Sequence, residues 1–172
     1  VREKPGADRN LERFNKAARQ AFDKGQIEQA AALYRKVLEQ ALMRDDSGAI
    51  VDAQYNLAVC LMKLNSYAEA MQVVRQAEAE LAVSDQKKLS ELLLLKAMLY
   101  YKSAELDEAW QVTTQNLSMT PKPSTVILGR THFLRGLIAS EREDINQLRN
   151  EIAALGNPKN PLLRGDLAEL KG

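Results

Sequence analysis

The sequence predicts an all-α protein made of consecutive helical hairpins, and three observations predict it. Apolar residues recur at spacings of three and four along most of the chain, and no stretch sustains the apolar–polar alternation of a strand. Turn signals cut the 172 residues into segments of about 12 to 20 residues, the usual range for globular helices. The segments Phe14–Tyr34, Gln54–Val74 and Leu93–Thr113 align with one another without gaps.

The turn signals fall at Lys24-Gly25, Asp45-Asp46-Ser47-Gly48, Leu64-Asn65-Ser66, Ser84-Asp85, Ser103-Ala104-Glu105, Pro121-Lys122-Pro123-Ser124 and Gly156-Asn157-Pro158. Connections this short favour antiparallel neighbours, so at least six helices in consecutive antiparallel pairs are expected. Ser47, Ser84 or Asp85, and Ser124 are placed to cap helix N-termini, because their side-chain oxygens can accept from first-turn amides. The aligned segments each carry a small residue late in the first helix (Ala18, Ala58, Ala97), an apolar residue just after the turn (Ile27, Tyr67, Leu106), and an alanine three residues on (Ala30, Ala70, Ala109). Small residues at facing positions let two helices approach closely, and bulky residues then fill the space between neighbouring pairs. A degenerate fourth unit runs from Gly129 to Leu155, with Gly136 in the small position and Leu148 where alanine is expected. That pair should sit further apart or cross differently. The division expected is a flexible segment over 1–10, a repeat domain over 11–160, and an amphipathic terminal helix over 161–172 that caps the stack, covers a groove or begins a further repeat.

Composition excludes several classes. Hydrophobic residues make up 45% and charged residues 27%, ordinary for a folded domain and too apolar for whole-chain disorder. The net charge is +1, with acids and bases interspersed, which argues against the basic stripe that nucleic-acid binding requires. Cys60 is the only cysteine and His132 the only histidine, so an intrachain disulfide and a cysteine or histidine metal cluster are ruled out. Cys60 lies in the apolar run Leu57–Leu61 and reads as a small buried hydrophobe. His132 reads as a packing or surface residue. No apolar run reaches the ~20 residues of a bilayer span. There is no phosphate-binding glycine loop, no Gly-x-Ser-x-Gly elbow and no His-Glu-x-x-His pair, and the carboxylate pairs sit at turns and helix starts, where they suit the helix dipole. The expectation is a non-catalytic protein without metal or cofactor.

The repeat resembles the tetratricopeptide repeat, whose signature runs from a bulky residue through Leu-Gly and Tyr to Ala-x-x-x-Phe and a proline. The first repeat supplies Phe14, Ala18, Gly25, Ala30 and Tyr34, the second Leu57, Ala58, Leu61 and Ala70, and the third Ala97, Tyr100, Ala109 and Pro121. The resemblance implies a right-handed solenoid of three to four hairpins plus a terminal helix. The alanines recur at intervals of about 40 rather than about 34 residues, with the extra residues after the second helix of each pair, so longer helices or looser turns are implied.

Such arrays bind protein partners on a concave face lined by the first helix of each pair. Carrying those positions over nominates Arg19 and Phe22 from the first repeat, Tyr55, Val59, Met62 and Lys63 from the second, Leu94, Met98, Tyr101 and Lys102 from the third, and Phe133 with Arg130 and Leu137 from the fourth. Some relatives grip a peptide carboxylate with a lysine–asparagine–arginine clamp. Here only Asn56 matches, while Asn15, Asp52, Glu91 and Leu95 hold the other places, so that clamp does not fit. The nominated surface is apolar, with methionine and aromatic residues, and suits an amphipathic helix or apolar peptide. The expected function is a protein-interaction scaffold. The alternatives are a structural subunit that assembles through its end helices, or the interaction domain of a longer protein. Alanine-rich arrays of this kind also resemble those of bacterial envelope lipoproteins, and a removed anchor would fit the start at Val1.

Overall fold

The computed structural model describes residues 5–172, and among these it contains nine α-helices and no strand. They are α1 Pro5–Asp23, α2 Ile27–Met43, α3 Ser47–Lys63, α4 Tyr67–Glu80, α5 Gln86–Lys102, α6 Leu106–Leu117, α7 Thr125–Glu141, α8 Ile145–Leu155 and α9 Pro161–Lys171. The chain divides into two compact units, Val1–Ser84 with α1–α4 and Asp85–Gly172 with α5–α9. Helix α1 begins at Pro5, so residues 5–10 of the segment expected to be flexible over 1–10 are helical, and residues 1–4 lie outside the described residues.

One turn geometry recurs five times. At the end of α1 the Gly25 amide donates to the Phe22 carbonyl and the Gln26 amide to the Ala21 carbonyl, with Gly25 left-handed at φ 77°. This Schellman pattern satisfies carbonyls that a helix end would otherwise leave open. The same pair of bonds forms at Asp45–Asp46, Asn65–Ser66, Ala104–Glu105 and Glu143–Asp144, and Asp45, Asn65, Ala104 and Glu143 are all left-handed. The chain thus reverses within three residues between α1 and α2, α2 and α3, α3 and α4, α5 and α6, and α7 and α8. The last of these turns, Arg142–Asp144, carries neither glycine, asparagine nor proline; its one local signal is Asp144, which caps α8 by accepting from Gln147 N at 3.1 Å.

Ile27, Tyr67 and Leu106 are the first residues of α2, α4 and α6, as the alignment requires. Ala30, Ala70 and Ala109 are fully buried, as are Ala18, Ala58 and Ala97. Asp85 and Ser124 cap α5 and α7, accepting from Lys88 N and Ile127 N. The cap of α3 is a correction: it is Asp46, accepting from Ala49 N at 3.1 Å, not Ser47. Ser47 is the first helical residue, and its hydroxyl instead donates to Glu80 at 2.7 Å. The long repeat interval has a simple origin. The second helices shorten from 17 residues (α2) to 14 (α4) and 12 (α6), while the segments that follow lengthen from Arg44–Asp46 to Leu81–Asp85 and Ser118–Ser124.

In the second unit, Asn116 ties three helices together: its side-chain amide donates to the Ser90 carbonyl and to Thr131 Oγ1. The fourth pair has Leu148 in place of the alanine. Leu148 is half-buried and packs with Phe133, Leu155 and three leucines of α9: Leu163, Leu167 and Leu170. Helix α9 packs on α7 and α8. A Cβ added at Gly129 or Gly136 would lie within 2.7 Å of the methyls of Leu163 or Leu170 respectively, so a side chain at either position would force those leucines to shift. Among the described residues no helix is long and apolar enough to cross a membrane.

Candidate partner-binding cleft

The second unit brings six of the nominated residues, Met98, Tyr101, Lys102, Arg130, Phe133 and Leu137, into one cleft. Met98, Tyr101 and Lys102 come from α5 and Phe133 from α7. With Arg130, Leu134, Leu137 and Glu169 they line a volume of about 240 Å³. The local reason is helical spacing: Met98, Tyr101 and Lys102 lie three and four apart on one face of α5, as do Arg130, Phe133, Leu134 and Leu137 on α7. The floor is apolar. Lys102 is exposed at the rim, and the Arg130 guanidinium lies over the Phe133 ring, 5.7 Å from its centroid. Tyr101 is half-buried and its hydroxyl reaches Glu141 at 3.5 Å. Burial, and then the Glu141 charge, raise its pKa above the usual phenol value, so the ring enters the cleft as a neutral amphipathic surface.

Leu94 stands apart from that group. It is buried, together with Leu92, Leu93 and Leu95, and offers almost no surface to a partner. Phe133 is also mostly buried, packed in the α7–α8–α9 core, and shows only an edge to the cleft. In the first unit, Lys63 sits over the Phe22 ring with its ammonium 5.5 Å from the centroid. Arg19 is exposed, and Tyr55, Val59 and Met62 are half-buried on α3.

Sequence reasoning missed two features. Leu134 and Glu169 complete the cleft, and Glu169 arrives from α9, which no repeat position announces. The second is a polar network on α6, α7 and α8. Glu151 is buried; its carboxylate accepts from Arg135 Nε at 2.9 Å and Gln147 Nε2 at 2.7 Å and pairs with His132 Nδ1 at 2.6 Å. Arg135 also donates to Thr113 and Thr114 and lies 3.6 Å from the centroid of the Trp110 ring. Burial pushes the Glu151 pKa up, but the hydrogen bonds and the Arg135 charge outweigh it and hold the carboxyl below its ordinary value. His132, read from sequence as a packing or surface residue, therefore also has a hydrogen-bonding role. Cys60 is fully buried and burial raises its thiol pKa to about 11, which makes it a poor nucleophile. Among the described residues no group of three or more His, Cys, Asp or Glu side chains could hold a metal.

Residues 21–90, from the end of α1 to the start of α5, match the family model described as tetratricopeptide repeat. Residues 21–90 carry the tetratricopeptide repeat. No curated protein matches it by sequence. The crystal structure of BtubC (BKLC) from P. vanneervenii superposes with a TM-score of 0.73 at 17% identity, covering 94% of this chain and 70% of that one. At that identity the likeness establishes the fold alone. Tetratricopeptide repeats generally mediate protein–protein interaction and are typically non-catalytic scaffolds.

Proposed function

We propose that this protein is a non-catalytic interaction scaffold that binds a peptide or helix of a partner protein, with the α5–α7 cleft taking the partner's apolar side chain. The observation that carries the reading is the convergence of Met98, Tyr101, Lys102 and Phe133, nominated separately from two repeats, on one apolar-floored cleft. Met98 adapts its shape to the incoming group, Tyr101 supplies rigid contact area, and Lys102 favours a ligand with an acidic flank, a rim effect that weakens with salt. In the first unit, Arg19, Phe22, Tyr55, Val59, Met62 and Lys63 are assigned to the same role. The resemblance to envelope lipoproteins adds membrane tethering in a bacterial periplasm, checked by lipid labelling of the native protein.

The test is selection of a peptide library on the immobilised protein, followed by affinity measurements on Tyr101→Ala and Met98→Ala. Loss of an aromatic anchor should weaken binding by about 1–2 kcal/mol or more with the circular dichroism unchanged. Selected peptides whose affinity is indifferent to both substitutions, or variants that melt early and bind normally, would show that the cleft is packing rather than a site.

A further inference from the structure

Away from the cleft, the second unit has another concavity, a volume of about 260 Å³ between the first turns of α5 and the segment that leads into α7. Ser90 of α5 lines one wall, Ile127 of α7 another, and Pro121 and Pro123 a third. These walls are fixed to one another. Asn116, fully buried, donates to the Ser90 carbonyl at 3.3 Å and to Thr131 Oγ1 at 3.2 Å, and Thr131 Oγ1 donates to the Ile127 carbonyl at 2.7 Å. A chain of hydrogen bonds thus ties the α5 wall to the α7 wall, and the prolines lock φ in the third. A ligand meets a pocket already in shape, without the cost of ordering it.

Charge at the mouth is unbalanced. Lys87 and Lys122 line the pocket and are exposed, and neither has an ion-pair partner among the described residues. Glu91 is the one acid among the lining residues, and Lys88 holds it at 3.0 Å. Asp85, next along the chain, caps α5 by accepting from Lys88 N. The chain as a whole carries a net charge of only +1, so two uncompensated cations at one pocket do not reflect a generally basic surface. The N-termini of α5 and α7 open here too, at Gln86 and Thr125, and their dipoles add the same sign. The interior offered by Pro121, Pro123 and Ile127 is apolar. Its volume lies below the roughly 300–1,000 Å³ of small-molecule and cofactor sites and suits a single apolar side chain.

We infer that this pocket docks an acidic segment of a partner protein, with one apolar side chain seated against Pro121, Pro123 and Ile127 and flanking carboxylates meeting Lys87 and Lys122. None of these residues lines the α5–α7 cleft, so the two sites stand or fall separately.

The probe is a set of fluorescein-labelled peptides, each with one apolar residue (leucine, isoleucine, methionine, phenylalanine or valine) between runs of glutamate, titrated by anisotropy into the full chain. At least one should bind, and its affinity should fall as added salt screens the charges. Lys87→Glu and Lys122→Glu, both at exposed positions, should each weaken it about fivefold while the thermal melt stays that of the parent. Glycine in place of the apolar residue should remove most of the binding. Hydrogen exchange should show protection gained over residues 86–91 and 121–127, and Tyr101→Ala should leave the affinity as it was. No binding by any peptide of the set, equal binding of glutamine-flanked versions, or affinity indifferent to both lysine substitutions would overturn the inference. Binding lost on Tyr101→Ala would place the peptides in the α5–α7 cleft, which would overturn this pocket and favour the cleft. Displacement by inorganic phosphate, but not by sodium chloride of the same ionic strength, would make the pocket an oxyanion site and overturn the assignment to a peptide.

Discussion

At the scale of the residue, the turns reveal how little side-chain chemistry a helix reversal needs. Gly25 and Asn65 are residues that tolerate a left-handed backbone, whereas Ala104 at φ 60° and Glu143 at φ 55° are not. A Cβ in that region costs roughly 1 kcal/mol or more. Ala104 is exposed, so its side chain contributes no packing in return. Ala104→Gly should stabilise the protein by about 0.5–1 kcal/mol, partly offset by the freedom glycine adds to the unfolded chain, and should raise the melting temperature. The opposite sign is expected at Ala70, which has no exposed surface. Ala70→Leu should overpack the α3–α4 pair and cost about 1–3 kcal/mol. Thermal melts of the two variants check both, and an Ala70→Leu protein that melts like its parent would break the alignment of repeats.

At the scale of the element, the second unit is cross-braced by charge rather than by alanine alone. Glu151 of α8 takes hydrogen bonds from two residues of α7, and Arg135 carries the link on to Thr113 and Thr114 of α6. The Glu151 pKa is lowered in the fold. Its contribution is therefore fully present above the ordinary carboxylate value of 4.5 and is lost as pH falls through the lower folded value. Glu151→Gln should cost on the order of 3 kcal/mol near neutral pH, and the gap between parent and variant should close on acidification. Asp166 runs the other way. Burial raises its pKa above 3.8 against the opposing Arg130 charge, so its ionised form weighs against folding at neutral pH, and protonation between 3.8 and the raised value relieves that. Asp166→Asn should leave stability unchanged or increase it at pH 7. Urea melts across pH 3–7 distinguish the two groups.

At the scale of the whole molecule, the chain is two compact units joined at Ser84–Asp85. The sequence reading draws one repeat domain over 11–160, because the repeat interval passes through this point without interruption. The connection differs in kind from the Schellman turns: Leu81, which follows α4, is extended, and Ala82–Asp85 are exposed. Exposed connections of this sort are cut before helices are. Limited digestion with an endoproteinase cutting before aspartate should cleave first at Asp85, read by mass spectrometry as fragments 1–84 and 85–172. Initial cutting at Asp45, held in a tight turn, would contradict this.

The sequence by itself determined the helices, the turns and the alanine ladder, because these depend on local propensity and on a repeated spacing that one chain displays three times over. It also nominated the α5 and α7 positions that meet in the cleft, since residues three and four apart on a helix share a face wherever that helix is placed. The Arg142–Asp144 turn was less legible, because its left-handed residue is Glu143 rather than glycine or asparagine and only the Asp144 cap marks it. The burial of Leu94, the pairing of His132 with Glu151, the entry of Glu169 into the cleft and the seating of Leu163 and Leu170 on Gly129 and Gly136 were decided only by the tertiary structure. Each depends on which neighbour a helix face meets: His132 and Glu151, 19 positions apart, and Gly129 and Leu163, 34 apart, become partners only when packing brings their helices together.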